Sequence, residues 1–331
     1  MSLSSFFKDL IDQIVHWLSP QPPPPPPLPA GETVRPRVLL IIYNPTIPAE
    51  GGRKLTEVLD WNDPDALARG YISDLRESSG GFVDYDIVQR IEVDAWPVKI
   101  DGFRYDATSY LRCHRTGTGW HEPDRLEYEA ILDEFDLLAR VNARQIDEVW
   151  IFGFPFAGFY ESRMVGPGAF WCNAPPMKRH DVDRRFIIMG FNYERGVGEM
   201  LESYGHRTES HMERVWRHAG DGPDRNLWHR FILYDKEAPG ESHCGNVHYA
   251  PNSQTDYDWG NPTPVDSYCD DWFNYPDFQG VKHRVDSRAW GNGDIRAHHV
   301  WWLSHLPRAA GETQGISNNW WWYVVEPDAV R

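Results

Sequence analysis

Two glutamates follow apolar segments and could share the work of acid and base. Glu161 comes after the apolar run at residues 149–152, and Glu194 comes after the next such run. Two carboxylates in one cleft can act as acid and base once their environments separate their pKa values, as glycoside hydrolysis requires. The alternative is that each glutamate pairs with a nearby arginine, Arg163 or Arg195, and holds a loop in place.

The C-terminal third offers a histidine as a further catalytic candidate. If residues 294–305 form a helix, its spacing places Asp294, His298, Trp301 and His305 on one face. An imidazole beside a carboxylate and an aromatic wall can move protons near neutral pH, so we predict an acid/base role for His298. The alternative is that histidines packed among tryptophans are purely structural.

Three other residues of this region are candidate metal ligands, namely His248, Asp258 and His299. Imidazole and carboxylate ligands suit zinc or a similar cation. The run D-x-D-x-G-N at residues 256–261 is similar to a calcium loop, but it has glycine where an EF-hand needs its third oxygen ligand and lacks the glutamate at position 12. We therefore expect a divalent metal, zinc or calcium, as the cofactor.

A long polar stripe is predicted on the helix that begins at Val197. Glu202 and His206 lie one turn apart and could both ligate a metal, which resembles the histidine-glutamate helices of zinc peptidases. Neither H-E-x-x-H nor H-x-x-E-H is met, so the stripe is interpreted as the solvated face of an amphipathic helix. His211 falls on the apolar face and is predicted to be a hydrogen-bonded core histidine.

Sixteen tryptophans suggest flat apolar faces that meet a ligand. The alternative is a tryptophan-rich core. The residues that we expect to contact a substrate are Asn44, Tyr160, Trp259 and Trp301.

The elements that must position these residues follow from apolar periodicity. Buried strands are predicted at residues 38–43, 149–152 and 186–189, and a further strand is predicted near residues 83–91. Helices are predicted from Pro64 to Gly80 and at residues 123–141 and 197–216. This alternation predicts an α/β fold with a doubly wound, mostly parallel, Rossmann-like three-layer sheet, which binds ligands at the carboxyl ends of its strands.

The chain is predicted to contain one large domain at residues 36–331, with an α/β core at 36–217 and long irregular tryptophan-rich loops at 218–331. An amphipathic helix at residues 1–19 and a proline-rich linker at residues 20–35 precede it. The helix could dock on a protein partner or on the domain itself.

Composition excludes several classes of function. The net charge is 33 − 49 = −16, which repels nucleic acid. P-loop, dinucleotide and nucleophile-elbow motifs are all absent, so no nucleotide cofactor is expected. The first residues lack the features of a signal peptide, and no apolar run is long enough to span a membrane, which predicts a cytoplasmic protein. Export by a non-classical route stays open.

Four segments resemble a family of uncharacterised bacterial proteins, and the resemblance covers most of residues 36–325. The segments read GFYESRMVGPGAFWCN, MGFNYERGVGEMLE, GNVHYAPNSQTDYDWGN and GDIRAHHVWW. The resemblance implies no activity, cofactor or catalytic residue.

These patterns favour a hydrolase that acts on a polar polymer, most simply a polysaccharide, through Glu161 and Glu194. A metal-dependent peptidase or esterase that uses His206 with Glu202, or the His298-His299 pair, is the first alternative. The second alternative is a non-catalytic carbohydrate-binding or assembly protein whose tryptophans hold a glycan or a partner.

Overall fold

The computed structural model describes residues 31–331. The predicted helix at residues 1–19 and most of the predicted linker at 20–35 lie outside this range. Within it, one continuous cluster of buried apolar side chains extends from Val38 to Val325 and joins the sheet to the C-terminal part of the chain. No helix of the described residues is long and apolar enough to cross a membrane.

The strands of the described residues form one large sheet and three small antiparallel pairs. In chain order they are β1 (Arg37–Tyr43), β2 (Thr46–Ile47), β3 (Arg53–Lys54), β4 (Asp86–Val93), β5 (Glu148–Gly153), β6 (Ser162–Gly166), β7 (Met177–Lys178), β8 (Phe186–Asn192), β9 (Val265–Ser267), β10 (His283–Val285), β11 (Arg308–Thr313) and β12 (Ile316–Asn319). The large sheet has the order β4-β1-β5-β8-β6-β7, and the pairs are β2 with β3, β9 with β10, and β11 with β12.

The large sheet is mixed but mostly parallel, so the predicted α/β architecture is confirmed. Strands β4, β1, β5 and β8 run parallel to one another. Each residue of β5 is buried, as expected for a strand covered on both faces. β6 runs antiparallel to β8, and the sequence did not predict it, because its five residues follow directly on a loop rich in aromatic residues.

The helices of the described residues are α1 (Leu55–Leu59), α2 (Pro64–Ser78), α3 (Ala107–Thr116), α4 (Tyr128–Glu134), α5 (Leu137–Asn142), α6 (Val197–Trp216), α7 (Leu227–Phe231), α8 (Ile295–Ser304) and α9 (Trp320–Val325). Short 3₁₀ segments lie at Pro48–Glu50, Cys269–Asn274, Ser287–Trp290 and Pro327–Ala329. The predicted helix at residues 123–141 is wrong as one element. Asp136 adopts a left-handed conformation with φ 51°, which separates α4 from α5.

A buried ion pair fixes α6 against the sheet. Arg207 donates to Glu148 Oε1 on β5 at 2.7 Å and to the carbonyl of Val324 at 3.1 Å. Trp150 donates its indole N–H to the same carboxylate at 2.8 Å. Because both charged side chains are buried, these bonds set the rotation of α6 and therefore the direction of its polar face.

The tryptophans serve mainly as core. Within residues 31–331, eight tryptophans are almost fully buried, and six of these belong to the part of the chain after residue 218. Trp228, Trp302 and Trp320 form one aromatic group around Phe231, with ring centroids 5.6–6.3 Å apart. The C-terminal part therefore completes the core as well as supplying surface loops.

Candidate functional site

The polar face of α6 carries two candidate ligands, Glu202 and His206, one helical turn apart. The helix begins where Gly196 donates its N–H to Glu199 Oε2 at 3.0 Å, which fixes the first turn. Glu202 and His206 are only partly exposed, because the loop at residues 246–257 lies over this part of the helix. The interpretation of the polar stripe as a solvated helix face therefore does not hold at Glu202 and His206.

A tight turn presents His248 to the helix. Asn246 Oδ1 accepts hydrogen bonds from the backbone N–H groups of His248 and Tyr249, both at 3.0 Å. Gly245 has a φ of +72°, and a Cβ there would lie 2.0 Å from the carbonyl oxygen of Tyr249. Only glycine fits at this position.

The turn lies directly on α6 at a second glycine. A Cβ at Gly205 would lie 2.6 Å from a methyl group of Val247, so the absence of a side chain lets the loop approach the helix. The backbone N–H of Val247 also donates to Glu209 Oε1 at 3.2 Å. Val247 is therefore held against α6 by its contact with Gly205 and by its hydrogen bond to Glu209. His248 is the next residue in the chain, so its position beside the helix is fixed as well.

Glu202, His206 and His248 bring three ligand atoms together. His248 Nε2 lies 3.2 Å from His206 Nε2 and 3.2 Å from Glu202 Oε1, and His206 Nε2 lies 3.9 Å from Glu202 Oε1. Ligands at 2.0–2.1 Å from a tetrahedral zinc ion are separated from one another by about 3.3 Å. The trio therefore has nearly the spacing of one face of a zinc coordination sphere.

The other nitrogen of each imidazole faces a carboxylate. His206 Nδ1 lies 3.0 Å from Glu209 Oε2, and His248 Nδ1 lies 3.1 Å from Asp256 Oδ1. If both Nδ1 atoms carry their protons, both Nε2 atoms present lone pairs to each other. Lone pairs at 3.2 Å repel unless a proton or a metal ion lies between them, and carboxylate–histidine pairs of this kind orient metal ligands in proteins.

Tyr257 closes the trio on its outer side. Its hydroxyl lies 3.2 Å from Glu202 Oε1 and 3.2 Å from His248 Nε2. Its backbone has a φ of +59°, a conformation that a bulky side chain rarely adopts, although half of the residue is exposed. Backbone strain that the surroundings maintain is a frequent property of functional residues.

Glu161 shares a small cavity with Glu202. The cavity has a volume of about 170 Å³, and the other polar residues lining it are Asp124, Asn192, Arg195, Glu199 and Ser203. Glu161 precedes β6 and accepts the N–H of Gly190 through its carbonyl, which places it at the carboxyl end of β8. The antiparallel direction of β6 is therefore what brings Glu161 to this edge of the sheet.

The electrostatic environment of the cavity favours proton transfer at Glu161. Desolvation raises the pKa of its carboxyl group although Glu161 is an exposed residue, and the charge of Glu202 raises it further. His206 and His248 oppose this shift. Desolvation lowers the pKa of His206, but the bond to Glu209 and the charges of Glu161 and Glu202 reverse the shift and leave that pKa raised.

The structure does not bring Glu194 into this cavity. Its side chain is exposed, and its backbone N–H donates to Asn192 Oδ1 at 2.9 Å in the turn after β8. No ion pair with a neighbouring arginine forms at Glu161 or Glu194 among the described residues. Arg163 instead lies over the ring of Tyr128 at 4.6 Å.

His298 and His299 lie behind the trio, in the interior. His298 is fully buried against Trp259 at 4.8 Å, and neither ring nitrogen makes a hydrogen bond, although the backbone of Asn246 and Val247 is close. Burial holds the pKa of His298 well below its ordinary value. His299 Nδ1 donates to the carbonyl of Ile295 at 2.7 Å, and burial lowers its pKa to about 4.

The other predicted ligand and substrate residues have structural partners. Asp258 Oδ2 accepts from the N–H of Gln254 and from Asn261 Nδ2, both at 3.0 Å, within its own turn. Trp259 is buried under Tyr257. The partners of the remaining three are Thr56 for Asn44, the ring of Tyr128 for Tyr160, and Trp290 with His305 for Trp301.

Two residues at the centre of the site were missed by the sequence analysis, Tyr257 and Asp256. Both lie in the D-x-D-x-G-N run that is similar to a calcium loop. The available signal was a carboxylate eight residues after His248 and an aromatic hydroxyl nine residues after it. The hairpin geometry that turns them back to His248 is not visible in that spacing.

Comparison with known proteins gives no functional information. No protein-family model matches the sequence, and no curated protein or solved structure is significantly similar to it. Functional inference therefore depends on the geometry of the site.

His211 agrees with its predicted role in the core. Its ring is fully buried, and Nδ1 donates to the carbonyl of Tyr323 at 2.8 Å. It belongs to the packing of α6 on α9 and lies on the face opposite to the trio.

Proposed function

We propose that the protein is a metal-dependent hydrolase in which Glu202, His206 and His248 hold a zinc ion. The observation that carries the proposal is the approach of two imidazole Nε2 atoms to 3.2 Å, while each Nδ1 faces its own carboxylate. A cation between them removes the repulsion between the lone pairs.

Zinc fits this set better than calcium or magnesium. Two imidazoles and one carboxylate are typical zinc ligands, whereas calcium and magnesium prefer oxygen ligands alone. A site with three protein ligands leaves a position for water or substrate, as in catalytic zinc sites. The ion would supply a water molecule of lowered pKa and would polarise the bond to be cleaved.

Glu161 is the candidate general base. It would take a proton from the attacking water as the water oxygen forms its bond to the carbonyl carbon. The same proton would then pass to the leaving oxygen or nitrogen as its bond to that carbon breaks, so Glu161 ends the cycle deprotonated. A raised pKa suits a carboxylate to both steps.

Tyr257 is the candidate electrophilic residue. Its hydroxyl lies at hydrogen-bond distance from two of the proposed ligands, so it can donate to an oxyanion that develops beside the metal. Desolvation raises the pKa of Tyr257 to about 12, which keeps its proton in place for donation.

The substrate class follows from the cavity. Its carboxylates and Arg195 suit a polar group, and the exposed ring of Phe156 forms one wall, stacked on Trp120 at 4.0 Å. Such a ring can pack against a sugar or against a side chain of a peptide. Esters and peptides are the leading substrates. A polysaccharide is the second candidate substrate, because the ring of Phe156 can pack against a sugar. Catalysis by a Glu161–Glu194 carboxylate pair has less support, since Glu194 does not line the cavity.

Metal analysis combined with activity tests the proposal. The wild type and the variants Glu202→Gln, His206→Gln and Glu161→Gln are purified without a histidine tag and screened on ester, peptide and oligosaccharide substrates. We expect Glu202→Gln and His206→Gln to lose one zinc per chain together with activity. Glu161→Gln should keep its zinc and lose turnover.

His229→Gln is the matched control for His206→Gln, because His229 also pairs with a glutamate, Glu213 at 3.4 Å, but does not belong to the group of candidate metal ligands. It should keep metal and activity. Equal zinc contents in His206→Gln and His229→Gln would contradict the metal site. Full turnover by Glu161→Gln would contradict the role of the base.

A further inference from the structure

A second group of ligand-type side chains lies elsewhere in the C-terminal part of the chain. Cys269 and Asp270 begin a 3₁₀ segment, and His305 follows the last turn of α8. Their ligand atoms all lie within 4.8 Å of one another. None of these residues belongs to the cavity of Glu161 and Glu202.

His305 is buried with one nitrogen unpartnered and facing this group. Its side chain is 3% exposed, and Nδ1 donates to the carbonyl of Trp301 at 2.7 Å. Because Nδ1 carries the proton, Nε2 has a lone pair, and no hydrogen bond is made to it. Nε2 faces Asp270 Oδ1 at 3.6 Å, so the lone pair of a buried imidazole is directed at a partly exposed carboxylate.

The distances fit a thiolate-containing site. Cys269 Sγ lies 3.8 Å from Asp270 Oδ1. Around a tetrahedral zinc ion, with bonds of 2.3 Å to sulfur and about 2.1 Å to oxygen or nitrogen, sulfur and oxygen are about 3.6 Å apart and nitrogen and oxygen about 3.4 Å. The two separations from Asp270 Oδ1, 3.8 Å to Cys269 Sγ and 3.6 Å to His305 Nε2, exceed these values by only about 0.2 Å, and the ligand atoms of Cys269 and His305 lie within 4.8 Å of each other.

We propose that Cys269, Asp270 and His305 form a second metal site that binds zinc. Sulfur as a ligand selects zinc over calcium and magnesium. His283 holds the other oxygen of Asp270, at 2.5 Å from its Nδ1, and orients the carboxylate.

The site has a structural role. It connects the 3₁₀ segment at Cys269–Asn274 to the end of α8, and through His283 it reaches β10. Phe273 of the 3₁₀ segment already packs on the ring of His305, with ring centroids 4.4 Å apart, and a cation would cross-link the three segments further in the manner of structural zinc sites. This role is independent of the hydrolase proposal.

Cobalt(II) titration of the metal-depleted full-length protein tests the site, because only a thiolate ligand gives a near-ultraviolet sulfur-to-cobalt charge-transfer band. Glu202, His206 and His248 include no sulfur, so that band reports the second site alone. We expect one equivalent of the band in the wild type and its loss in Cys269→Ser. Cys113→Ser, which removes another buried thiol, should keep the band. Absence of the band in the wild type, or its persistence in Cys269→Ser, would overturn the proposal.

X-ray absorption of the zinc-loaded wild type provides a second readout that needs no variant. It should require one sulfur at about 2.3 Å for every two zinc ions if both proposed sites are filled. A spectrum fitted by nitrogen and oxygen ligands alone would contradict the second site and leave the first one standing.

Discussion

His206 and His248 face each other through their Nε2 atoms at 3.2 Å, although 42 residues separate them in the sequence. The contact between these two histidines depends on residues that do not themselves bind a metal. The Arg207–Glu148 pair sets the rotation of α6, and Gly205 lets the loop approach the helix. The site is therefore coupled to the stability of the fold.

Gly205→Ala should destabilise the protein although alanine is the better helix former by about 1 kcal/mol. The added methyl group would meet Val247 at 2.6 Å and push the turn that bears His248 away from α6. We expect a lower denaturation midpoint and weaker zinc binding. The double variant Gly205→Ala/Val247→Ala should recover much of both, because the obstructing side chain is shortened. A single variant more stable than the wild type would show that the turn does not press on the helix.

Arg207→Met should cost about 3–5 kcal/mol of unfolding free energy, because it leaves the carboxylate of Glu148 buried without its partner. Denaturant titration measures the loss. Adding Glu148→Gln removes the uncompensated charge and should restore a substantial part of it. A loss of less than about 1 kcal/mol in the single variant would mean that water reaches this pair.

Tyr257→Phe should reduce kcat by roughly 100- to 1000-fold while zinc content stays unchanged, as expected for the loss of one oxyanion donor. Steady-state kinetics on the best substrate of the panel measures the effect. Tyr249→Phe is the matched control, since Tyr249 lies in the same loop but stacks on Tyr234 at 4.6 Å. An unchanged kcat in Tyr257→Phe would remove the hydroxyl from the mechanism.

His211 should make the protein less stable in acid. Burial lowers its pKa from the ordinary 6.5 to about 3, so the folded state keeps the ring neutral while the unfolded state takes up a proton below pH 6.5. This stability is fully present above pH 6.5 and is lost by about 1.4 kcal/mol per pH unit as the pH falls towards 3. His211→Gln should reduce the slope of unfolding free energy against pH by that amount, and His218→Gln, at an exposed position, should not. Equal slopes in the two variants would contradict the assignment.

Local patterns predicted the framework of the fold well. The run at residues 38–43 became β1, and Pro64 and the spacing after Val197 marked the starts of α2 and α6. Local patterns failed where the backbone conformation of a single residue interrupts a helix. The left-handed Asp136 divides a helix that periodicity makes continuous.

The candidate site was predictable only in part, because long-range contacts assemble it. The four-residue spacing of Glu202 and His206 was visible, and His248 was predicted as a ligand. No sequence pattern around these residues indicates that they lie together in the fold. Glu161 and Glu194 both follow buried strands, yet only Glu161 lines the cavity, since the direction of β6 turns it there.

Anomalous diffraction at the zinc edge, from crystals of the zinc-loaded protein, determines whether a metal ion lies between His206 and His248. We predict a peak about 2.0–2.2 Å from His206 Nε2, His248 Nε2 and Glu202 Oε1, with each Nδ1 still bonded to its carboxylate. An absence of anomalous density there, with the two imidazoles joined by a direct hydrogen bond, would contradict it.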